Sequence, residues 1–415
     1  MEGVWIGVLN RSVSAGWLVL AVMLSRLLLR RAPKRISVLL WGLVGVRLMM
    51  PVPIKAGFSL IPSGEVVSPS IGYARTPAIH SGISVLDRAV NPALGSSLAA
   101  APSDSVNPMQ VWLFVLSAIW IAGIALLLLD SLLRLLRLRG RVAGSVLLRE
   151  NIWLCDQIDA PFLLGVFRPR IYLPSGLPEA QRGYVLAHER AHLERGDHLW
   201  KLAGFLLLTV YWFHPLLWAA YLLLCRDIEL ACDEKVISQM DLPEKKAYAH
   251  TLVSCSTRRR LVPACPLAFG EVGVKERVKG VLSYRKPTLW IVLAAAALCA
   301  LLAACFLTDP VGELTGNYFL TIGAEGVKSV EVTTPYTSGG CQNADGSLFR
   351  KGERVWLEPL EGLQDLRGVT VSALDEAGEV LWTASIPADA DNRGFTRLTQ
   401  DGWTITDLEQ SAAGA

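Results

Sequence analysis

The feature that most limits the fold of this chain is its set of long apolar runs. Residues 12–29, 36–53, 111–133 and 288–307 each carry enough consecutive apolar side chains to cross a bilayer as a helix. A fifth run, 202–225, is also long enough. Of the 415 residues, 52% are hydrophobic and 19% charged, and the mean hydropathy is +0.38. A soluble enzyme of this length carries more charge than that. The first run leads into Arg30-Arg31 with no small-residue cleavage site, so it reads as an uncleaved span.

Charge orients the spans. Lys and Arg cluster at 26–35, 134–141, 258–260 and 277–286, and the stretch from 308 onward is acidic. The connection 54–110 is rich in Ser, Pro, Gly and Ala, with only Lys55, Arg75 and Arg88 positive. An excess of Lys and Arg marks the cytoplasmic side. The N-terminus is therefore expected outside, residues 134–287 inside and the C-terminus outside. Arg47 lies within the second span, either snorkelling or facing a polar partner inside the bundle. No basic run is long enough to argue for direct contact with nucleic acid. Eight cysteines without a CxxC pair indicate neither a disulfide framework nor a zinc ribbon.

The chemistry sits at His188-Glu189-Arg190-Ala191-His192. Residues four apart share a helix face, so His188 and His192 can ligate one ion. Glu189, beside the first ligand, can act as general base on a water that Zn2+ has acidified. The plainer alternative is two surface histidines on an amphipathic helix, but the motif lies among apolar Val185, Leu186, Ala187 and Leu193. A hydrolytic site needs a third protein ligand and an open fourth position. Glu229 and Asp233 are again four apart, just behind the fifth apolar run. Glu229 is the expected third ligand; Asp233 is a further metal ligand, an acceptor from one of the histidines, or a plain surface carboxylate.

That assignment constrains the fifth run. If 202–225 crossed the membrane, His188 and Glu229 would lie on opposite sides and could not share an ion. His214-Pro215 divides the run into halves too short to span alone, and basic residues flank both ends. The run is expected to be a re-entrant or membrane-resting helical hairpin. Before the motif, strand-like alternation at 146–155 and 170–173 precedes a helix opened by Pro178. After residue 308, alternating segments at 329–333, 354–357, 368–374 and 380–384, separated by Gly, Asp and Asn turns, predict a β-sandwich.

These motifs resemble the membrane metallopeptidases typified by the BlaR and MecR antirepressor sensors. The resemblance runs from the first span to about Lys286. It rests on His188–His192, on Phe213-His214-Pro215 with Trp218, on Glu229-Leu230-Ala231-Cys232-Asp233, and on Pro161-Phe162, Gly165 and Arg168 to Pro174. It implies four spans and a cytoplasmic, gluzincin-like zinc domain that cleaves a transcriptional repressor on an extracellular cue. Some members also cut themselves between the zinc domain and the last span, here 275–286. It further implies that Arg170, Ile171 and Tyr172 offer an edge strand to substrate.

The departure is C-terminal. The antibiotic sensors carry there a penicillin-binding fold with Ser-x-x-Lys, and none occurs after residue 307, so β-lactam sensing by acylation is not expected. Leu302-Ala303-Ala304-Cys305 resembles a lipoprotein box, which makes Cys305 a candidate lipidation site against the plainer reading of a span rich in small residues. Cys341 is the one cysteine after 307, so no disulfide can form within that part.

The sequence thus predicts a mainly α integral membrane protein of about four transmembrane helices. Its parts are two spans in 1–53, an extracytoplasmic low-complexity loop 54–110 and a third span 111–133. A cytoplasmic zinc metalloprotease domain 134–287, with the apolar hairpin 202–225, precedes a fourth span 288–307 and an extracytoplasmic β-rich domain 308–415. Catalysis is assigned to Glu189, with Zn2+ on His188, His192, Glu229 and Asp233. The partners are a bilayer and a protein substrate, expected to be a cytoplasmic repressor; a homodimer is left open. A non-proteolytic receptor with structural zinc and a housekeeping membrane protease are the rival functions.

Overall fold

The computed structural model describes residues 2–50, 54–56, 58–68, 71–73, 77, 79–98, 108–257, 273–310, 318–334, 338–343, 346–357, 368–385, 398–400 and 402–407. The basic cluster at 258–260 lies outside them.

The apolar runs are helices. α1 (Glu2–Leu28), α2 (Lys34–Met49) and α3 (Ser84–Leu98) precede α4 (Pro108–Val142), whose last turn carries Arg139 and Arg141. The helix of His188 and His192, α5 (Glu179–Arg195), is followed by α6 (Asp197–Val210), α7 (Pro215–Ile237), α8 (Leu242–Thr257), α9 (Val274–Leu282) and α10 (Leu289–Phe306). Three of these, α1, α4 and α10, are long and apolar enough to cross a membrane. α2 has 16 residues, about 24 Å at 1.5 Å per residue against a hydrocarbon core of about 30 Å.

One apolar core joins α1, α2, α6, α7 and α10, with Leu18, Leu40, Ile228 and Ala231 fully buried. The fifth apolar run is two helices. Pro215 opens α7 at its first turn, where its missing N–H costs nothing, and the chain turns at 211–214. α7 then runs back along α6, with Gly204 against Tyr221 and Leu224 and Lys201 reaching Glu229. This hairpin lies along the bundle. At its base Asp227 and Glu234 bind Arg26 and the Lys34 amide. At its tip the Tyr211 hydroxyl donates to Leu48 O at 2.8 Å, and Phe213 packs edge-on against Trp5 at 4.9 Å. A side chain at Gly123 would collide with Trp212 (2.3 Å), so glycine there lets the tip press against α4.

Arg47 has a partner inside the bundle. It is 4% exposed and pairs with Asp309, just beyond α10. Beside it β1 (Ile54–Lys55) and β6 (Thr308–Asp309) form a short parallel ladder.

The connection 54–110 is not wholly irregular, because α3 occupies 15 of its residues. Its start is fixed by Asp87, which accepts from the Ser81 amide and hydroxyl. Asn10 of α1 exchanges two hydrogen bonds with Val67, holding the same connection on the bundle.

A small sheet precedes α5: β2 (Val146–Arg149), β3 (Ile152–Cys155), β4 (Phe162–Leu164) and β5 (Arg170–Pro174), in spatial order β2-β3-β5-β4. The order corrects one expectation. Residues 170–172 are not an edge strand, because β5 pairs with β3 on one side and β4 on the other.

The C-terminal part comprises β7 (Tyr318–Thr321), β8 (Ser329–Thr333), β9 (Ser338–Gln342), β10 (Arg354–Trp356), β11 (Thr370–Leu374), β12 (Val380–Ser385), β13 (Leu398–Gln400) and β14 (Trp403–Asp407). They form two four-stranded antiparallel sheets, β10-β7-β14-β13 and β12-β11-β8-β9. One face of each fills a shared core, in which Trp382 and Trp403 stack at 4.9 Å. Alternate residues of β8 and β11 are buried, as half-covered strands require.

Candidate metal centre

α5 starts behind Pro178, with Glu179 in its first turn. Its helical spacing puts His188 and His192 on one face with their Nε2 atoms 3.1 Å apart. α5 ends at Gly196, whose φ of 66° lies in the left-handed region that suits a residue without Cβ. The tight reversal brings Asp197, the first residue of α6, back to His192, whose Nδ1 lies 2.7 Å from Oδ2. Arg195 holds the same carboxylate at 3.1 Å.

α7 supplies the facing acids. Glu229 Oε2 lies 3.5 Å from His188 Nε2 and Glu229 Oε1 lies 3.5 Å from His192 Nε2, so the carboxylate faces both imidazoles. Lys201 donates to Glu229 Oε1 at 2.8 Å. One turn on, Asp233 stands on the opposite side of the His188 ring, 3.3 Å from Nδ1. Its carboxylate accepts from the Tyr248 hydroxyl of α8 at 2.7 Å and from Arg277 of α9 at 2.7 Å through two nitrogens. The Tyr248 oxygen also lies 2.9 Å from His188 Nδ1. Glu189 is 6% exposed, in the same turn of α5.

The charges are mutually dependent. Burial opposes ionisation of Glu229, but Lys201 and His192 outweigh it and hold the carboxyl well below its usual range. Burial likewise opposes the Asp233 carboxylate, and Arg277 overrides it, bringing the group to about 2. Burial pushes the Tyr248 hydroxyl well up, which keeps it a donor. Burial works against charged Lys201, yet Glu229 raises its pKa.

Two donor sets compete for an ion. His188, His192 and Cys232 offer ligand atoms within 4.8 Å of one another. Cys232 lies 3.5 Å from His188 Nδ1 and donates to the His188 carbonyl at 3.3 Å. A tetrahedral zinc with bonds of about 2.0 Å separates its ligands by about 3.3 Å. His188 Nε2 lies 3.1 Å from His192 Nε2 and 3.5 Å from Glu229 Oε2, separations close to that spacing.

The structure brings His188, Glu189, His192, Glu229 and Asp233 together. It does not bring Arg170, Ile171 and Tyr172 to them as a free edge: Ile171 is fully buried, Tyr172 is 5% exposed, and Arg170 lies over the Trp153 ring at 4.8 Å. The free edge beside α5 is β4. Cys305, half-buried at the end of α10, has its carbonyl bound by the Leu60 amide at 3.0 Å. Sequence reasoning missed Asp197, Lys201, Tyr248 and Arg277. Only Asp197 had a local signal, the glycine before it.

Fold and site together define a membrane protein, mainly helical, with a candidate metal centre where a hairpin of helices meets a short sheet. Residues 6–281 match the family described as BlaR1 peptidase M56, and the chain belongs to that family. It is 26% identical over 137 residues to the methicillin resistance mecR1 protein of Staphylococcus aureus, covering 31% of this chain and 23% of that one. It is 26% identical over 196 residues to the regulatory protein BlaR1 of Bacillus licheniformis, covering 40% of this chain and 32% of that one. The matched part thus spans about a quarter of the first relative's length and about a third of the second's.

Proposed function

We propose that this chain is a membrane-embedded zinc endopeptidase with His188, His192 and Glu229 as ligands and Glu189 as general base. The observation that carries the reading is the pair of imidazole Nε2 atoms faced by one carboxylate, at separations close to those between zinc ligands, with a buried glutamate one residue from the first histidine. Zinc bound there would supply a Lewis acid that polarises a carbonyl and acidifies a water. Glu189 takes the proton of the attacking water and passes it to the departing amine. Asp233 and Asp197 act on the Nδ1 side of His188 and His192, fixing tautomer and ring direction. Asp233 is thereby a support of the site and not a fourth ligand.

The substrate strand pairs along β4, with main-chain bonds supplying affinity. α2 crosses as the fourth span: its two ends bind the base and the tip of the hairpin, which lie at opposite ends of the bundle. By the positive-inside rule the metal centre faces the cytoplasm and the β-domain is outside. The Bacillus relative is a regulatory protein, which supports signalling over housekeeping; the substrate in this reading is a cytoplasmic repressor.

The second reading is a structural site in which Cys232 closes the coordination and the chain signals without cutting; the thiol's proximity to the imidazoles favours it. X-ray absorption at the zinc edge of the purified protein separates the two. Nitrogen and oxygen neighbours at about 2.0 Å support the peptidase, and a sulfur neighbour at about 2.3 Å overturns it.

A further inference from the structure

The two helices that carry the donors do not hold them alone. Arg277 reaches the centre from α9, and its guanidinium touches three of the site's groups. Nε and Nη2 each lie 2.7 Å from an Asp233 oxygen. Nη1 lies 3.3 Å from Glu229 Oε2, and Nη2 lies 3.2 Å from His188 Nε2. A planar fork with five donors can bracket one carboxylate and still reach a second, which a lysine ammonium cannot do.

The helix bearing Arg277 is the one joined to the last apolar helix. Leu282 ends α9 and Leu289 begins α10, with only a short connector between. α9 is also held by Val278 and Val281, packed beside Ile237 and Tyr248, and by an ion pair between Glu276 and Arg226 of α7 at 2.5 Å. Glu276 touches none of the metal donors named above.

We propose that Arg277 is a positioning residue of the metal centre, delivered by α9, so that the centre is correctly assembled only while α9 is docked. The inference rests on the zinc reading above. Arg277 fixes the spacing between Glu229, a ligand, and Asp233, which turns His188. Without it Glu229 keeps Lys201 on Oε1 but loses its cation on Oε2, and Asp233 keeps Tyr248 and His188 but loses its bidentate partner. Displacement of α10 along its axis pulls on α9 and thereby loosens the site.

The test uses full-length protein in detergent, loaded with Co2+ or Zn2+, comparing wild type with Arg277→Gln, Arg277→Lys and Glu276→Gln. Loss of an outer support of a metal site costs about 10–100-fold in affinity or activity. Arg277→Gln is expected to release zinc to a chelating dye 10–100-fold faster and to alter the visible bands of the cobalt protein. Its kcat falls with KM unchanged, and Arg277→Lys does not rescue it. Glu276→Gln removes only a half-exposed ion pair of the same helix, leaves Val281 and Arg277 docked, and keeps the wild-type cobalt spectrum. A wild-type spectrum and release rate in Arg277→Gln overturn the proposal, as does an equal change in Glu276→Gln. If the wild-type protein binds neither metal, the zinc reading itself falls and this one with it.

Discussion

Asp227 receives both prongs of the Arg26 guanidinium, each nitrogen 2.6 Å from one of its oxygens, two residues before Glu229 on the same helix. Trp41 of α2 adds a third donor at 2.8 Å. α7 therefore presents one face to the first two helices and another to the metal centre. Its register is set by a pair whose acidic member is 2% exposed.

Breaking that pair leaves a carboxylate buried with only an indole N–H. Arg26→Gln is expected to cost about 3 kcal/mol, in the range for removing one partner of a buried pair. Arg134→Gln, which breaks an exposed i,i+4 pair with Asp130, is expected to cost under about 0.5 kcal/mol. Thermal unfolding of both variants in the same detergent checks the contrast, and equal losses would contradict it.

The carboxylate behind His192 sets a second prediction. Asp197→Asn keeps the shape of the side chain but weakens its hold on Nδ1. Zinc affinity is expected to fall about 10–100-fold with the fold unchanged. Competition with a chromophoric chelator measures it, and wild-type affinity would show that His192 needs no such partner.

Cys232 distinguishes the two donor sets. In the peptidase reading its thiol serves the His188 carbonyl, so Cys232→Ser retains zinc at one per chain and retains cleavage. A structural site with sulfur coordination predicts loss of zinc in the same variant. Metal analysis after dialysis decides between them.

Orientation gives a fourth. A membrane-impermeant thiol reagent applied to intact cells is expected to label a cysteine introduced at Ser372, in the β-domain, and not one introduced at Ser238, beside the metal centre. Labelling of position 238 alone would invert the topology.

How much of this was legible in the sequence differs from group to group. His188 and His192 are four apart on a helix, and a period of 3.6 places them on one face without reference to anything else. Strand β8 alternates in the sequence and is buried alternately in the fold. The division of 202–225 at His214-Pro215 was legible because proline cannot continue a helix from within. Tyr248 and Arg277 were not, because they reach His188 only through the packing of α8 and α9 on α7. The interior place of β5 was hidden for a like reason. Local alternation marks a strand but says nothing of which strands lie beside it, so the edge role that the resemblance implies for Arg170, Ile171 and Tyr172 has no check in the residues themselves. In 54–110 a composition of Ser, Pro, Gly and Ala masked α3, which contains Pro92 within its span.

The central claim is that Glu189 cuts peptide bonds beside a zinc ion. The direct measurement is zinc content and proteolysis, side by side, for wild type and Glu189→Ala in detergent, with the chain itself and a candidate repressor as substrates. Loss of a general base costs about 100- to 10,000-fold. The account predicts about one zinc per chain in both proteins, as three shared ligands require, with cleavage only by wild type. Equal zinc with no cleavage by wild type, or cleavage that survives in Glu189→Ala, would contradict it.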